Sequence, residues 1–136
     1  MKAHFYLNFP GNTEEAFSFY QKTLGGELGG TMRYSEVPGM PPLSEGDQEK
    51  IMHISLQVGN GMLLMGTDLL ESMGHKCSAG NNLHISLAPT SRKEADEIFA
   101  GLSEGGTVTM PMQEMFWGDY FGSFSDRYGI NWMINC

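Results

Sequence analysis

Ala3 to Phe9 is an aromatic and apolar run that stops at Pro10-Gly11-Asn12, the pattern of a buried strand bounded by a turn. From Thr13 the period becomes helical. Glu14 and Glu15 are first-turn acids, Ala16, Phe17, Tyr20 and Leu24 recur on one face, and Gly25-Gly26 supply the stop. Glu27 to Ser35 predicts a strand weakened by Gly29 and Gly30, followed by a long Pro- and Gly-containing loop over Val37 to Gln48. Ile51 to Val58 and Met62 to Thr67 then predict a hairpin across Gly59-Asn60-Gly61.

After a polar loop, Asp68 to Gly80, the pattern restarts. Leu83 to Ala88 reads as a strand, and Ser91-Arg92-Lys93-Glu94 as a capping box that opens a helix through Ile98, Phe99 and Leu102. Gly105-Gly106 end that helix, and Thr107 to Met110, Tyr120 to Ser125 and Ile130 to Asn135 predict three further strands, with a turn at Asp126 to Gly129. A shift of 80 superposes His4 on His84, Glu14 on Glu94, Phe19 on Phe99 and Gly25-Gly26 on Gly105-Gly106. A shift of 68 superposes Gly61 on Gly129 and Met65 on Met133. The expected fold is therefore α+β, one domain over residues 1–136 built from two βαβββ modules, about 1–68 and 81–136. Neither module buries its own sheet, so the two are expected to pack with pseudo-twofold symmetry as an open mixed sheet lining a cleft. His4 and His84 then occupy equivalent strand positions, as do Met65 and Met133.

Composition narrows the partners. A 136-residue chain with 40% hydrophobic residues can bury roughly two thirds of its unfolded surface. With 8 basic against 16 acidic residues and no basic cluster longer than Arg92-Lys93, it has no footprint for nucleic acid or anionic lipid. No stretch has the length of a membrane span or the pattern of a signal peptide, so a cytoplasmic protein is expected. Cys77 and Cys136 lack CxxC spacing and read as free thiols.

The end of the chain, "MQEMFWGDYFGSFSDRYGINWMIN" (Met112 to Asn135), together with the duplication and the placement of His4 and His84, resembles the vicinal oxygen chelate superfamily, which includes glyoxalase I, bleomycin-resistance proteins and extradiol dioxygenases. Phe-Trp, Phe-Gly, Asp-Arg-Tyr-Gly and Trp-Met-Ile in this order resemble its PhnB-like branch, often labelled as similar to 3-demethylubiquinone 3-methyltransferase. In the superfamily's metalloenzymes the resemblance implies a metal held by a first-strand residue and a last-strand Glu of each module. His4 and His84 match two of these positions; Met65 and Met133 depart from the other two. No Gly-rich loop for a methyl-donor nucleotide follows the first strand, so the residues give the methyltransferase label no support.

His4 and His84 are the candidate catalytic or metal-ligating pair, set against the plainer reading of strand histidines satisfied by backbone or water. Thioethers suit Cu(I) far better than Zn²⁺, Ni²⁺ or Fe²⁺, and in a chain with 11 methionines Met65 and Met133 read as flexible apolar lining. No metal or other cofactor is expected; if a metal is present, His4 and His84 hold it. Glu114 is the one nearby acid able to swing in. Phe116, Trp117, Tyr120 and Phe121 either wall a pocket for a flat ligand or form the contact of a homodimer. Trp132, next to Met133, points to the opposite face and is structural. A two-residue turn puts Met65 on the face of Ile54 and Leu56 and leaves His53 outside the cavity; a three-residue loop reverses this. The two-residue turn is the commoner, so His53 is left out of the site, and His75 is expected to be exposed.

The expected function is a small-molecule-binding protein with a His/Met/aromatic-lined cleft for a planar ligand. The alternatives are a glyoxalase-type metalloenzyme, a lyase, isomerase or dioxygenase-like, and a metal-free enzyme in which one His abstracts a proton and the other stabilises an oxyanion.

Overall fold

The first apolar run forms β1 (Phe5–Phe9), and the helical period that follows it forms α1 (Thr13–Leu24), ended by Gly25. Then come β2 (Glu27–Arg33), a short 3₁₀ turn, α2 (Glu45–Glu49), β3 (Ile51–Val58) and β4 (Met62–Asp68). The second half repeats the plan with β5 (Ile85–Leu87), α3 (Arg92–Ser103), β6 (Thr107–Glu114), β7 (Tyr120–Ser125) and β8 (Asn131–Asn135). The computed structural model describes all 136 residues, as two units, Met1–Cys77 and Ser78–Cys136. No helix is long and apolar enough to cross a membrane.

Each unit holds a four-stranded mixed sheet of the same order, β1-β4-β3-β2 in the first and β5-β8-β7-β6 in the second. The first strand pairs in parallel with the last, and the remaining pairs are antiparallel. These are the two βαβββ modules that the shifts of 80 and 68 predict. The shifts differ because residues 34–50 join β2 to β3 whereas only residues 115–119 join β6 to β7. The longer connection is not wholly irregular, as α2 forms within it, capped by Ser44, whose hydroxyl accepts from the Asp47 amide.

One face of each sheet is covered by its helix. In the first unit Leu7, Phe9, Ile54, Leu56 and Leu64 are buried with Phe17 and Tyr20 of α1. In the second, Ile85, Phe124, Trp132 and Ile134 are buried with Ala95 and Leu102 of α3. The segment after β4 stays with the first unit: Leu70 is fully buried and the Leu69 amide donates to Phe9 O at 2.8 Å.

The expected capping box is half as written. Ser91 Oγ accepts from the Glu94 amide, but Glu94 reaches back to the amide and hydroxyl of Thr90 rather than to Ser91. β6 runs on through Pro111 to Glu114, beyond the expected end at Met110, because an edge strand with register shifts tolerates a residue that cannot donate to the ladder.

Candidate functional site

Side-chain alternation decides what each uncovered sheet face displays. In the first unit a Cβ on Gly66 would meet Phe17 of α1 at 2.6 Å, so Gly66 and its register partners Leu7 and Ile54 mark the helix side. Tyr6, Met65 and Ser55 are paired across β1, β4 and β3, and they occupy the other, open face with Asn8, Thr67 and His53.

This corrects the expected position of His53. β3 and β4 are joined by three residues, Gly59-Asn60-Gly61, with Gly59 at φ +56°, so Val58 pairs with Met62 and Met65 with Ser55. Glycine on both sides of Asn60 lets the positive φ fall one residue early and opens the turn. His53 therefore shares a face with Met65, and Ile54 and Leu56 do not.

On this face the Tyr6 hydroxyl lies 3.3 Å from His53 Nδ1, with the ring centroids 5.8 Å apart. Partial burial raises the Tyr6 phenol above its usual range, against the opposing pull of the Thr67 hydroxyl. Met32 of β2 is the register partner of His53 and places a second thioether on the face. His4 precedes β1 and is exposed; alternation assigns it to the side of Tyr6. His75 is exposed, as expected, its Nδ1 accepting from the Leu70 amide at 3.4 Å.

In the second unit the helix side is marked by Gly122, whose Cβ would meet Phe99 of α3 at 2.8 Å. Met133 lies on the open face between its register partners Ser86 and Ser123, with the paired Phe121 and Asn135 beside them. Ser123 Oγ and Thr109 Oγ1 are hydrogen-bonded at 2.7 Å. His84, half-buried just before β5, is assigned by alternation to the side of Ser86. Trp132 is on the helix side, fully buried, with Nε1 donating to Asp126 Oδ2 at 2.9 Å, the structural role expected of it.

Tyr120 and Glu114 do not join Met133. They are register partners on the α3 side, where the Tyr120 hydroxyl donates to Asp96 Oδ1 at 2.6 Å, Arg92 stacks 4.9 Å from the Tyr120 ring centre, and Glu114 lies 3.8 Å from Arg92. Tyr120, Gly122 and Phe124 alternate onto one face and Phe121 and Ser123 onto the other, so closeness in sequence to Phe121 carries no closeness on the sheet. The bond to Asp96 raises the Tyr120 phenol above its ordinary range, because ionisation would set a phenolate against a carboxylate; the Arg92 charge opposes this less strongly. Spectrophotometric titration of tyrosinate should show Asp96→Asn bringing one high-titrating tyrosine back towards the normal range. An unchanged titration curve would mean that the bond does not persist in solution.

Phe116 and Trp117 form the tip between β6 and β7 and are 96% and 51% exposed. Trp117 is tied to the open face of its unit. Its Nε1 donates to Asp119 Oδ2 at 3.0 Å, its ring lies 6.4 Å from that of Phe121, and Asn135 Nδ2 donates to the same Asp119 oxygen at 3.4 Å. Tyr6, His53, Ser123 and Asp119 are the polar members that the sequence reading left out. Alternation outward from the buried Leu7 and Phe124 was the signal that could have found Tyr6 and Ser123.

The donors fit a divalent cation poorly. The register partners of Met65 and Met133 are Tyr6, Ser55, Ser86 and Ser123, none of them a carboxylate. No three His, Cys, Asp or Glu side chains come together in a group that could hold an ion. Neutral imidazole and thioether leave the charge of a divalent ion unbalanced in a low-dielectric site.

Comparison with known proteins gives a consistent answer. The model of the Glyoxalase/Bleomycin resistance protein/Dioxygenase superfamily matches residues 3–134. Protein YjdN of Escherichia coli is 28% identical over 138 residues, covering 96% of this chain and 91% of its own. The crystal structure of PA1353 from Pseudomonas aeruginosa superposes with a TM-score of 0.88 at 38% identity, covering 100% of this chain and 97% of that one. A Bacillus cereus structure described as a putative 3-demethylubiquinone-9 3-methyltransferase, PhnB protein, has a TM-score of 0.80 at 23% identity, covering 99% and 98% of the two chains, a likeness of fold.

Proposed function

Because the chain belongs to the Glyoxalase/Bleomycin resistance protein/Dioxygenase superfamily, we propose that it is a small-molecule-binding protein that holds a flat, largely apolar ligand on the open face of a sheet. One observation carries this reading: on each open face the central residue of the last strand is a methionine, flanked by neutral hydroxyl-bearing side chains where metal chemistry would call for a carboxylate. Thioethers and aromatic rings are polarizable and adapt to planar molecules better than they order water. Imidazoles supply a small number of polar anchors, as is usual in ligand sites. His4 is proposed as such an anchor in the first unit, and His84 in the second, with Trp117 as part of the second unit's wall.

The reading is tested by titrating quinones, phenols and aromatic antibiotics while following tryptophan fluorescence, with Trp117→Leu separating its signal from that of Trp132. Removing one neutral hydrogen bond costs about 0.5–1.5 kcal/mol, so His4→Ala or His84→Ala alone should weaken binding several-fold, and Trp117→Leu more. Equal binding by wild type, Trp117→Leu and the double histidine variant would place the ligand elsewhere. Elemental analysis of the protein purified without chelator adds a second arm. One equivalent of Zn, Ni, Mn or Fe, lost in His84→Ala, would replace this reading with a metalloenzyme, and copper would indicate a His/Met site.

A further inference from the structure

We propose that the Tyr6–His53 pair of the first unit is a hydrogen-bond donor site for the carbonyl oxygen of a neutral planar ligand, with His53 Nε2–H as the donor and Tyr6 as the residue that fixes its tautomer. The proposal rests on the binding reading above and deepens it by naming the ligand chemistry at this face.

The Tyr6 hydroxyl and His53 Nδ1 lie 3.3 Å apart, and one of them must donate. A phenol is a much stronger acid than the N–H of a neutral imidazole, and an imidazole nitrogen is a better acceptor than a phenol oxygen, so Tyr6 donates to Nδ1. The ring proton then sits on Nε2, which has no partner in the protein.

The backbone keeps that edge of the ring open. β2 breaks register with β3 between Gly29 and Met32, and Gly30 takes φ +58° there. A Cβ at Gly30 would stand 3.7 Å from His53 Cδ2 and 3.9 Å from Nε2, so a side chain in this place would cover the donor edge. The same face carries Met32, the register partner of His53, and Met65, the register partner of Tyr6, which is 46% exposed.

The charges select a neutral ligand. Arg33, which follows Met32, is held by Glu14 Oε2 and Glu49 O, each at 2.7 Å, and so is not free to meet a carboxylate or phosphate. The chain's net charge of −8 also repels anions. An aryl ketone or quinone-like carbonyl meets these conditions: one acceptor oxygen, a flat apolar body and no charge.

The test uses the full chain with nitrogen-15 labelled histidine, at a pH where its imidazoles are neutral. 1-Indanone is the probe, and indane is its counterpart without the oxygen. His53 is expected as the Nε2–H tautomer, its Nε2 signal should shift with 1-indanone and not with indane, and 1-indanone should bind about two- to tenfold more tightly. Tyr6→Phe should mix the tautomers and reduce the preference for 1-indanone to below twofold. His53→Ala should abolish the preference, with the amide spectrum of each variant reporting that it folds. A wild-type His53 protonated on Nδ1, or a preference unchanged in Tyr6→Phe, overturns the proposal. Binding that perturbs other residues and leaves His53 silent overturns this site and spares the wider reading, whereas no binding of either compound in a protein that also ignores quinones, phenols and aromatic antibiotics ends both.

Discussion

Asp68→Ala should lower the unfolding free energy by about 3–5 kcal/mol, one of the two largest effects expected of a single substitution in this chain. The carboxylate is almost wholly buried. Oδ1 accepts from the Thr13 amide at 3.0 Å and the Thr13 hydroxyl at 2.6 Å, and Oδ2 accepts from the Ile51 amide at 2.8 Å. One side chain at the end of β4 thus satisfies the first turn of α1, where backbone donors are orphaned and negative charge is favoured, and the start of β3. Alanine leaves three donors without an acceptor, and two of them are amides that cannot turn away. Asparagine is the graded control: its oxygen can serve Thr13, but its amino group would face the Ile51 N–H, so about half the loss is expected. Urea unfolding measures both, through a lower midpoint at an unchanged slope. A loss below about 1 kcal/mol for Asp68→Ala would mean that water replaces the carboxylate, and the account of how α1 and β3 are joined would fail.

Asp68 was not legible in the sequence, and its case shows which parts of the molecule were. The repeat could be read because helix and strand periods, and glycine at helix ends, are local: Ala16, Phe17 and Tyr20 identify α1 without knowledge of anything distant. Asp68 looks like the first residue of a polar loop because its partners Thr13 and Ile51 are 55 and 17 residues away. Which face a residue takes is harder still, since the strand period is two and one residue in a turn inverts every assignment after it. The Gly59-Asn60-Gly61 loop did this to His53. Tyr120 and Glu114 failed for a different reason. They were grouped with Met133 by position along the chain, and the pairing of Glu114 with Tyr120 on the α3 side depends on the β6 register shifts that no local pattern announces.

Trp132→Ala should cost about 3–5 kcal/mol, and Trp132→Phe distinctly less, about 1–3 kcal/mol, because the two substitutions remove different things. The indole is fully buried, and its register partners are Ile85 on one side and Phe124 on the other. Alanine opens a cavity of most of an indole in the middle of the second sheet's helix side, where a parallel strand and an antiparallel strand both depend on the same residue for packing. Phenylalanine fills most of that space but removes the Nε1–H donated to Asp126 Oδ2 at 2.9 Å. Asp126 Oδ1 keeps the amides of Tyr128 and Ile130, at 2.8 and 3.0 Å, so the turn into β8 persists and the loss is that of one charge-assisted bond plus imperfect packing. Both variants leave Trp117 as the only tryptophan, and its exposed ring gives an emission that reports the β6–β7 tip directly. Unfolding followed by far-ultraviolet circular dichroism gives the two free energies. Equal losses for Ala and Phe would assign the whole effect to the Asp126 bond, and a loss near zero for both would show that the second sheet does not depend on this residue.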